Sequence, residues 1–194
     1  AASRQELGIA DNQTLLLIFG GSLGARSINE TFAALKQELL TRPNLRIIQS
    51  TGQKLYDEVV SLMKLSDEEA ARWKVKPYIS NMGATLAAAD LVVSRSGASS
   101  VAEIAALELP SILVPYPLAT ADHQTTNAHL LSDAGAAILV PDNQVGTTTF
   151  STALFELVDN ADQRKKLSEA AATLDQRSAA SLVADAVESA VCGA

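Results

Sequence analysis

Thr14–Phe19 (TLLLIF) is an uncharged apolar run of six residues that ends at Gly20-Gly21. So short a run, closed by paired glycines, reads as a buried strand entering a turn. The next segment changes period. Ala25–Leu40 carries Ile28, Phe32, Leu35 and Leu39 at helical spacing, and Pro43 lies beyond its end. The same alternation recurs down the chain. Strands are expected at Leu45–Gln49, around Val75–Ile79, and at Leu91–Ser94, Ser111–Val114 and Ala136–Val140. Helices are expected at Lys54–Leu65, Met82–Ala89, Ser99–Leu107 and from about His123 to Asp133. Ser66 with Glu69 fits a capping box opening a short acidic helix. About six short strands, each followed by a helix, describe an α/β domain with a parallel sheet. From Thr148 onward the pattern is helical only, with breaks near Asn160 and Asp175.

Composition narrows the function. The chain of 194 residues is 47% hydrophobic and 19% charged, enough for one sizeable core. Its net charge of −7 lacks the basic footprint that a nucleic-acid backbone demands. The single Cys192 supports neither a disulfide framework nor a cysteine zinc site, and two His leave little for a His-rich metal site. No apolar run approaches the ~18 residues of a membrane span, and no secretory h-region opens the chain.

A doubly wound sheet holds its ligand at the carboxyl ends of its strands, and three polar loops fall there. The first is Gly20-Gly21-Ser22-Leu23-Gly24-Ala25-Arg26, whose glycines permit a sharp turn and close approach to backbone amides at a helix start. It fits a phosphate, or simply a tight turn. It lacks both the GxGxxG spacing and the Lys-Ser/Thr of a P-loop. Gly20-x-Ser22-x-Gly24 also satisfies a hydrolase nucleophile elbow, with Asp90 or Asp122 and His123 or His129 as nominees for the rest of a triad. The short stretch before the first strand counts against that reading.

The second loop is Ser94-Arg95-Ser96-Gly97-Ala98-Ser99-Ser100, with Glu103 expected on the first turn of its helix. It offers another anion site and a carboxylate for a diol such as ribose; Glu103 could equally interact with the helix dipole, and Arg95 could form a surface ion pair. The third is Asp122-His123-Gln124-Thr125-Thr126-Asn127, whose amides and hydroxyls suit sugar hydroxyls, or a helix capped by Asp122. His129 reads as a helix-surface residue, and Trp73 and the Tyr residues as packing.

In order, GGSLGARSIN (Gly20–Asn29), PYISNM (Pro77–Met82), SRSGASSVAEIAALELPSILVPYP (Ser94–Pro117) and HQTTNA (His123–Ala128) resemble the carboxyl-terminal domain of the MurG family of glycosyltransferases. The resemblance runs from about Leu15 to the end. It implies a single Rossmann-like domain, the carboxyl-terminal half of a GT-B glycosyltransferase, with the core at about 14–141 and a helical tail at about 148–191. The amino-terminal acceptor domain is expected to be absent, so that the chain is a truncation or a split, non-catalytic UDP-sugar-binding subunit. Such enzymes invert at the anomeric carbon, moving N-acetylglucosamine from UDP-N-acetylglucosamine to lipid I to make the lipid II of peptidoglycan. They work at the cytoplasmic face of the bacterial inner membrane. No metal or other cofactor is implied.

On matching positions, Gly21, Ser22 and Gly24 would face the diphosphate. The backbone of Ile79 would hydrogen-bond uracil, with Met82 beside it. Arg95, Gly97 and the amides of Ala98, Ser99 and Ser100 would line the nucleotide and phosphate site, and Glu103 would hold the ribose. Gln124, with His123 and Asn127, would hold the sugar. The acceptor's general base would lie in the absent domain. Two positions depart from the family: Leu23, often Gln, and Thr125-Thr126, often a bulkier pair.

Overall fold

The computed structural model describes residues 2–21 and 23–174. Ser22, Cys192, the expected break near Asp175 and the end of the helical tail lie outside the described residues. Six parallel strands form one sheet: β1 (Thr14–Phe19), β2 (Leu45–Ser50), β3 (Trp73–Lys76), β4 (Leu91–Ser94), β5 (Ser111–Leu113) and β6 (Ala137–Leu139). Their order is β3-β2-β1-β4-β5-β6. The helices are α1 (Ala2–Glu6), α2 (Arg26–Ala34), α3 (Lys36–Leu40), α4 (Tyr56–Met63), α5 (Asp67–Arg72), α6 (Met82–Ala88), α7 (Ala98–Ala106), α8 (His123–Ser132), α9 (Thr148–Asp159) and α10 (Ala161–Ala172).

The run TLLLIF is continuously apolar because β1 is covered on both faces. Leu16 and Ile18 enter a core with Ile28 and Phe32 of α2 and Phe150 and Leu154 of α9. Leu15, Leu17 and Phe19 enter the opposite core with Leu86 of α6 and Val101 and Ile104 of α7. Phe32 stands edge-on to both Trp73 and Phe150, with centroids 6.4 and 5.9 Å away.

Two expectations are corrected and one helix is new. Ala25–Leu40 is two helices, with Leu35 (φ −83°, ψ 2°) turning the axis between them so that Leu39 still reaches the core. The third strand stops at Lys76, because Pro77 has no N–H to give a ladder; Ile79 therefore falls on the loop beyond it. Helix α1 carries no apolar period and was not anticipated. Arg4 ties it down, donating to Asp90 Oδ2 (2.8 Å) and to the carbonyls of Ala88 (3.0 Å), Ala10 (2.9 Å) and Gln13 (2.7 Å).

The capping box at α5 has both of its bonds: Glu69 N–H donates to Ser66 Oγ (3.2 Å), and Ser66 N–H to Glu69 Oε2 (2.8 Å). The Ser66 N–H bond above all, helped by Lys36, holds the Glu69 carboxyl below its usual pKa. At the expected break, the Asn160 side chain accepts from Asp162 and Gln163 N–H, both at 3.1 Å, and starts α10. No helix among the described residues is long and apolar enough to cross a membrane. Replacing an N-cap serine costs about 1 kcal/mol. Ser66→Ala is therefore expected to lower the unfolding free energy by about that amount in urea titration, with the far-UV spectrum otherwise unchanged.

Candidate functional site

Neighbouring strands β1 and β4 send their following helices to opposite faces, α2 to one core and α7 to the other. The sheet therefore opens between their carboxyl ends, the place where an open α/β sheet receives a ligand. A cavity of about 320 Å³ lies there. Of the expected residues, it gathers Gly21, Ile79, Met82, Ser99, Ser100 and Glu103. Phe19, Ser50 and Tyr78 complete it and were not anticipated. Phe19 and Ser50 end β1 and β2, so the strand-end rule could have nominated them. Tyr78, 64% exposed, has only its place beside Ile79 as a signal.

Local rules explain these positions. Gly97, extended at φ −63° and ψ 149°, is the residue before α7, which puts the amides of Ala98, Ser99 and Ser100 in the first, unpaired turn. Glu103 sits on the second turn rather than the first, exposed, and no side chain among the described residues pairs with it. A role in offsetting the helix dipole fits it poorly, since that effect fades within the first turn. Asn81 caps α6, accepting from Ala84 N–H at 3.2 Å, and so sets Met82 at the cavity wall.

Gly24 does not line the cavity; it anchors the loop that does. Its φ is +78°, and a Cβ there would lie 2.0 Å from the Thr51 carbonyl oxygen. Gly52 reciprocates at φ +83°, where a Cβ would meet Gly24 N at 2.5 Å. The turns after β1 and β2 thus pack backbone against backbone. Gly21 (φ +81°) faces open space. Leu23, between them, is 73% exposed.

Other expected residues stand beside the cavity. Arg95, expected to line the nucleotide site, is buried, with its donors engaged inside the protein. It pairs with Asp142 at 2.6 Å and donates to the carbonyls of Val114 (3.3 Å) and Pro115 (3.0 Å) and to Ser27 Oγ (3.1 Å). Its guanidinium also lies 5.5 Å from the Tyr116 ring centroid. Arg95 therefore locks the loop after β4 to α2 and to the segment after β6. The ion pair has its Arg95 end buried and its Asp142 end half-buried, not on the open surface.

Gln124 and Asn127 brace the same loop. Ser96 Oγ donates to the Gln124 carbonyl (2.8 Å), Asn127 Nδ2 to the Ser96 carbonyl (3.1 Å), and Tyr116 N–H to Gln124 Oε1 (3.0 Å). Gln124 Nε2 keeps no protein partner among the described residues. His123 is exposed, its Nδ1 2.8 Å from the Thr120 carbonyl oxygen. Asp122, expected to cap α8, makes no cap bond; it is left-handed at φ +52° and accepts from Thr125 Oγ1 at 2.6 Å.

The hydrolase arrangement does not assemble. Asp90 is at the opposite end of the sheet, accepting from Leu15 N–H (2.7 Å) and Arg4. His129 pairs with Asp133 on the surface of α8 (2.9 Å). A separate cavity of about 380 Å³ opens at the outer edge of the sheet between α4 and β3, away from the converging loops.

Residues 15–183 match the glycosyltransferase family 28 C-terminal domain. The chain belongs to this family. The family 28 domain is 40% identical over 189 residues to the UDP-N-acetylglucosamine–N-acetylmuramyl-(pentapeptide) pyrophosphoryl-undecaprenol N-acetylglucosamine transferase of Desulforudis audaxviator, covering 96% of this chain and 51% of the relative. The namesake in Leuconostoc mesenteroides is also 40% identical over 189 residues, with 95% and 51% covered. Among solved structures, MurG of Acinetobacter baumannii superposes with a TM-score of 0.69 at 32% identity, covering 87% of this chain and 48% of that one. The chain spans about half the length of the curated relatives it matches.

The glycine geometry separates two roles within one loop. Gly21→Ala meets no atom and is expected to cost only its left-handed backbone, about 1–2 kcal/mol. Gly24→Ala adds a backbone clash and is expected to cost more than Gly21→Ala in urea unfolding.

Proposed function

We propose that this family 28 domain binds UDP-N-acetylglucosamine and is the donor-binding half of an inverting transferase that carries N-acetylglucosamine to lipid I, forming lipid II. The carrying observation is the switch-point cavity, which gathers a glycine turn, a helix start, an unpaired carboxylate and an apolar wall in about 320 Å³. Those four features serve three of the four parts of the donor, the base, the ribose and the diphosphate. Ile79 offers backbone groups to the base, with Met82 against its face. Glu103 accepts from the ribose hydroxyls. Gly21 and the amides of Ala98, Ser99 and Ser100 receive the diphosphate, with Ser22 and Gly24 in the same loop. The sugar extends toward the third loop, where Gln124 Nε2 is free to donate, with His123 and Asn127 nearby.

In the reaction, the acceptor hydroxyl oxygen bonds to the anomeric carbon as the bond from that carbon to the β-phosphate oxygen breaks. UDP leaves with the electron pair, and the hydroxyl proton passes to a general base. Amides fixed at a helix start are aimed at charge growing on the departing diphosphate and need no reorganisation as it forms. This neutralisation calls for no cofactor. It also suits a chain of net charge −7, which would hold an anion through local dipoles rather than bulk charge.

The sheet and its helices, about 14–141, form the donor site, and α9 and α10 pack against its two cores. The acceptor, its general base and the contact with the cytoplasmic face of the bacterial inner membrane belong to an amino-terminal domain facing the crevice. Alone, this chain is expected to bind donor and to transfer almost nothing, because orientation against the acceptor supplies much of such a rate.

Calorimetric titration tests the donor site. A hydrogen bond to a charged acceptor contributes about 1.5–3 kcal/mol. Glu103→Ala is thus expected to weaken UDP binding by roughly tenfold or more. The variant should also lose the preference of the parent chain for UDP over its 2′,3′-dideoxy analogue. A parent chain that ignores UDP contradicts the donor assignment.

A further inference from the structure

Beneath the glycine loop, buried polar groups run from the sheet edge to the turn that supports the cavity. Trp73 donates its indole N–H to Gln49 Oε1 at 3.0 Å. Gln49 Nε2 donates to Asn29 Oδ1 at 3.0 Å, and Asn29 Nδ2 donates to the Thr51 carbonyl oxygen at 3.0 Å. No member is more than 2% exposed. The chain has a single sense. An indole can only donate, so Gln49 must present its oxygen to Trp73 and its nitrogen to Asn29. Asn29 must then turn its own nitrogen to Thr51.

The end point of this relay is the carbonyl on which Gly24 rests. Thr51 reaches the other wall as well: its N–H donates to the Lys76 carbonyl at 3.0 Å, at the end of β3, where the chain turns toward Tyr78 and Ile79. Apolar side chains of similar volume would fill this core without the desolvation cost of two amides. What amides add is direction, and the direction here leads to the loops on two sides of the cavity.

We infer that Asn29 and Gln49 are positioning residues for the donor loops, holding the Thr51 carbonyl so that Gly21 and Ile79 stand at the spacing a nucleoside diphosphate requires. Neither side chain lines the cavity. The inference rests on the reading of that cavity as the UDP-sugar site, and it assigns the order in which substitutions should act. Asn29→Asp keeps the acceptor for Gln49 but has nothing to donate to Thr51. Gln49→Glu keeps the acceptor for Trp73 but has nothing to donate to Asn29. Trp73→Phe leaves the bond between Asn29 and Thr51 intact.

UDP is titrated into the parent chain and the three variants at a temperature where circular dichroism shows all to be folded, and melting temperatures are recorded alongside. Misplacing a binding group by about 1 Å can cost up to ~100-fold. The expected dissociation constants rise by roughly tenfold or more for Asn29→Asp, less for Gln49→Glu and little for Trp73→Phe, whatever the order of melting temperatures. A second readout uses the one tryptophan in the chain. Its indole N–H resonance is expected to shift when UDP saturates the parent chain and to stay still in Gln49→Glu.

Parental affinity in both amide variants overturns the inference, as do losses that simply follow melting temperature or an indole resonance that UDP never moves. Should Asn29→Asp fail to fold, the comparison of Gln49→Glu with Trp73→Phe decides alone. If the parent chain itself does not bind UDP, the donor reading fails first and the inference falls with it.

Discussion

The carbonyl of Thr51 pressed against the α-carbon of Gly24 is the contact on which the site's geometry depends. It joins the turn after β1 to the turn after β2, and no residue with a Cβ fits on either side of it. With those turns fixed together, Gly21 stands over the opening between β1 and β4. The ladder sets the rest: β4 pairs with β1 through Ser94 and Phe19, so the loop toward α7 begins level with the glycine turn. Arg95 then fixes this second loop from below through Asp142 and Ser27. The cavity is thus walled by a glycine turn and a helix start whose separation is set by backbone contacts and a largely buried ion pair rather than by surface side chains.

That construction is how an acidic chain would offer the anion site proposed for it. Breaking the pair at Arg95 would leave a charge uncompensated in a buried place, a costly change. Arg95 contributes by holding amides in place, and those amides carry the partial positive charge. The same logic gives Gln124 and Asn127 a structural duty to the loop after β4.

Much of this was legible in the sequence, for identifiable reasons. Apolar runs ending in glycine or serine gave the strands, since a strand buried on both faces leaves no room for alternation. The capping box Ser66–Glu69 was readable because it is local. The membership of Gly21, Ile79, Met82, Ser99, Ser100 and Glu103 in one site came from motifs and their resemblance to a family. What stayed hidden depends on residues distant in sequence. Arg95 reads as an exposed cation until Asp142 is known to meet it. Asn29 and Gln49 read as ordinary polar residues until Trp73 and Thr51 close the line between them. Helix α1 has no periodicity to announce it, because Arg4 and Asp90 hold it rather than an apolar stripe.

Everything rests on the crevice between β1 and β4 receiving the uridine diphosphate of the donor, as proposed. This is tested most directly by mapping backbone amide shifts in a magnetic-resonance titration with UDP-N-acetylglucosamine. Saturable shifts are expected at Gly21, Ile79, Met82, Ser99, Ser100 and Glu103, with little change around Tyr56 and Lys74 at the outer edge of the sheet. Shifts centred on that outer edge, or none at saturating donor, would contradict that placement.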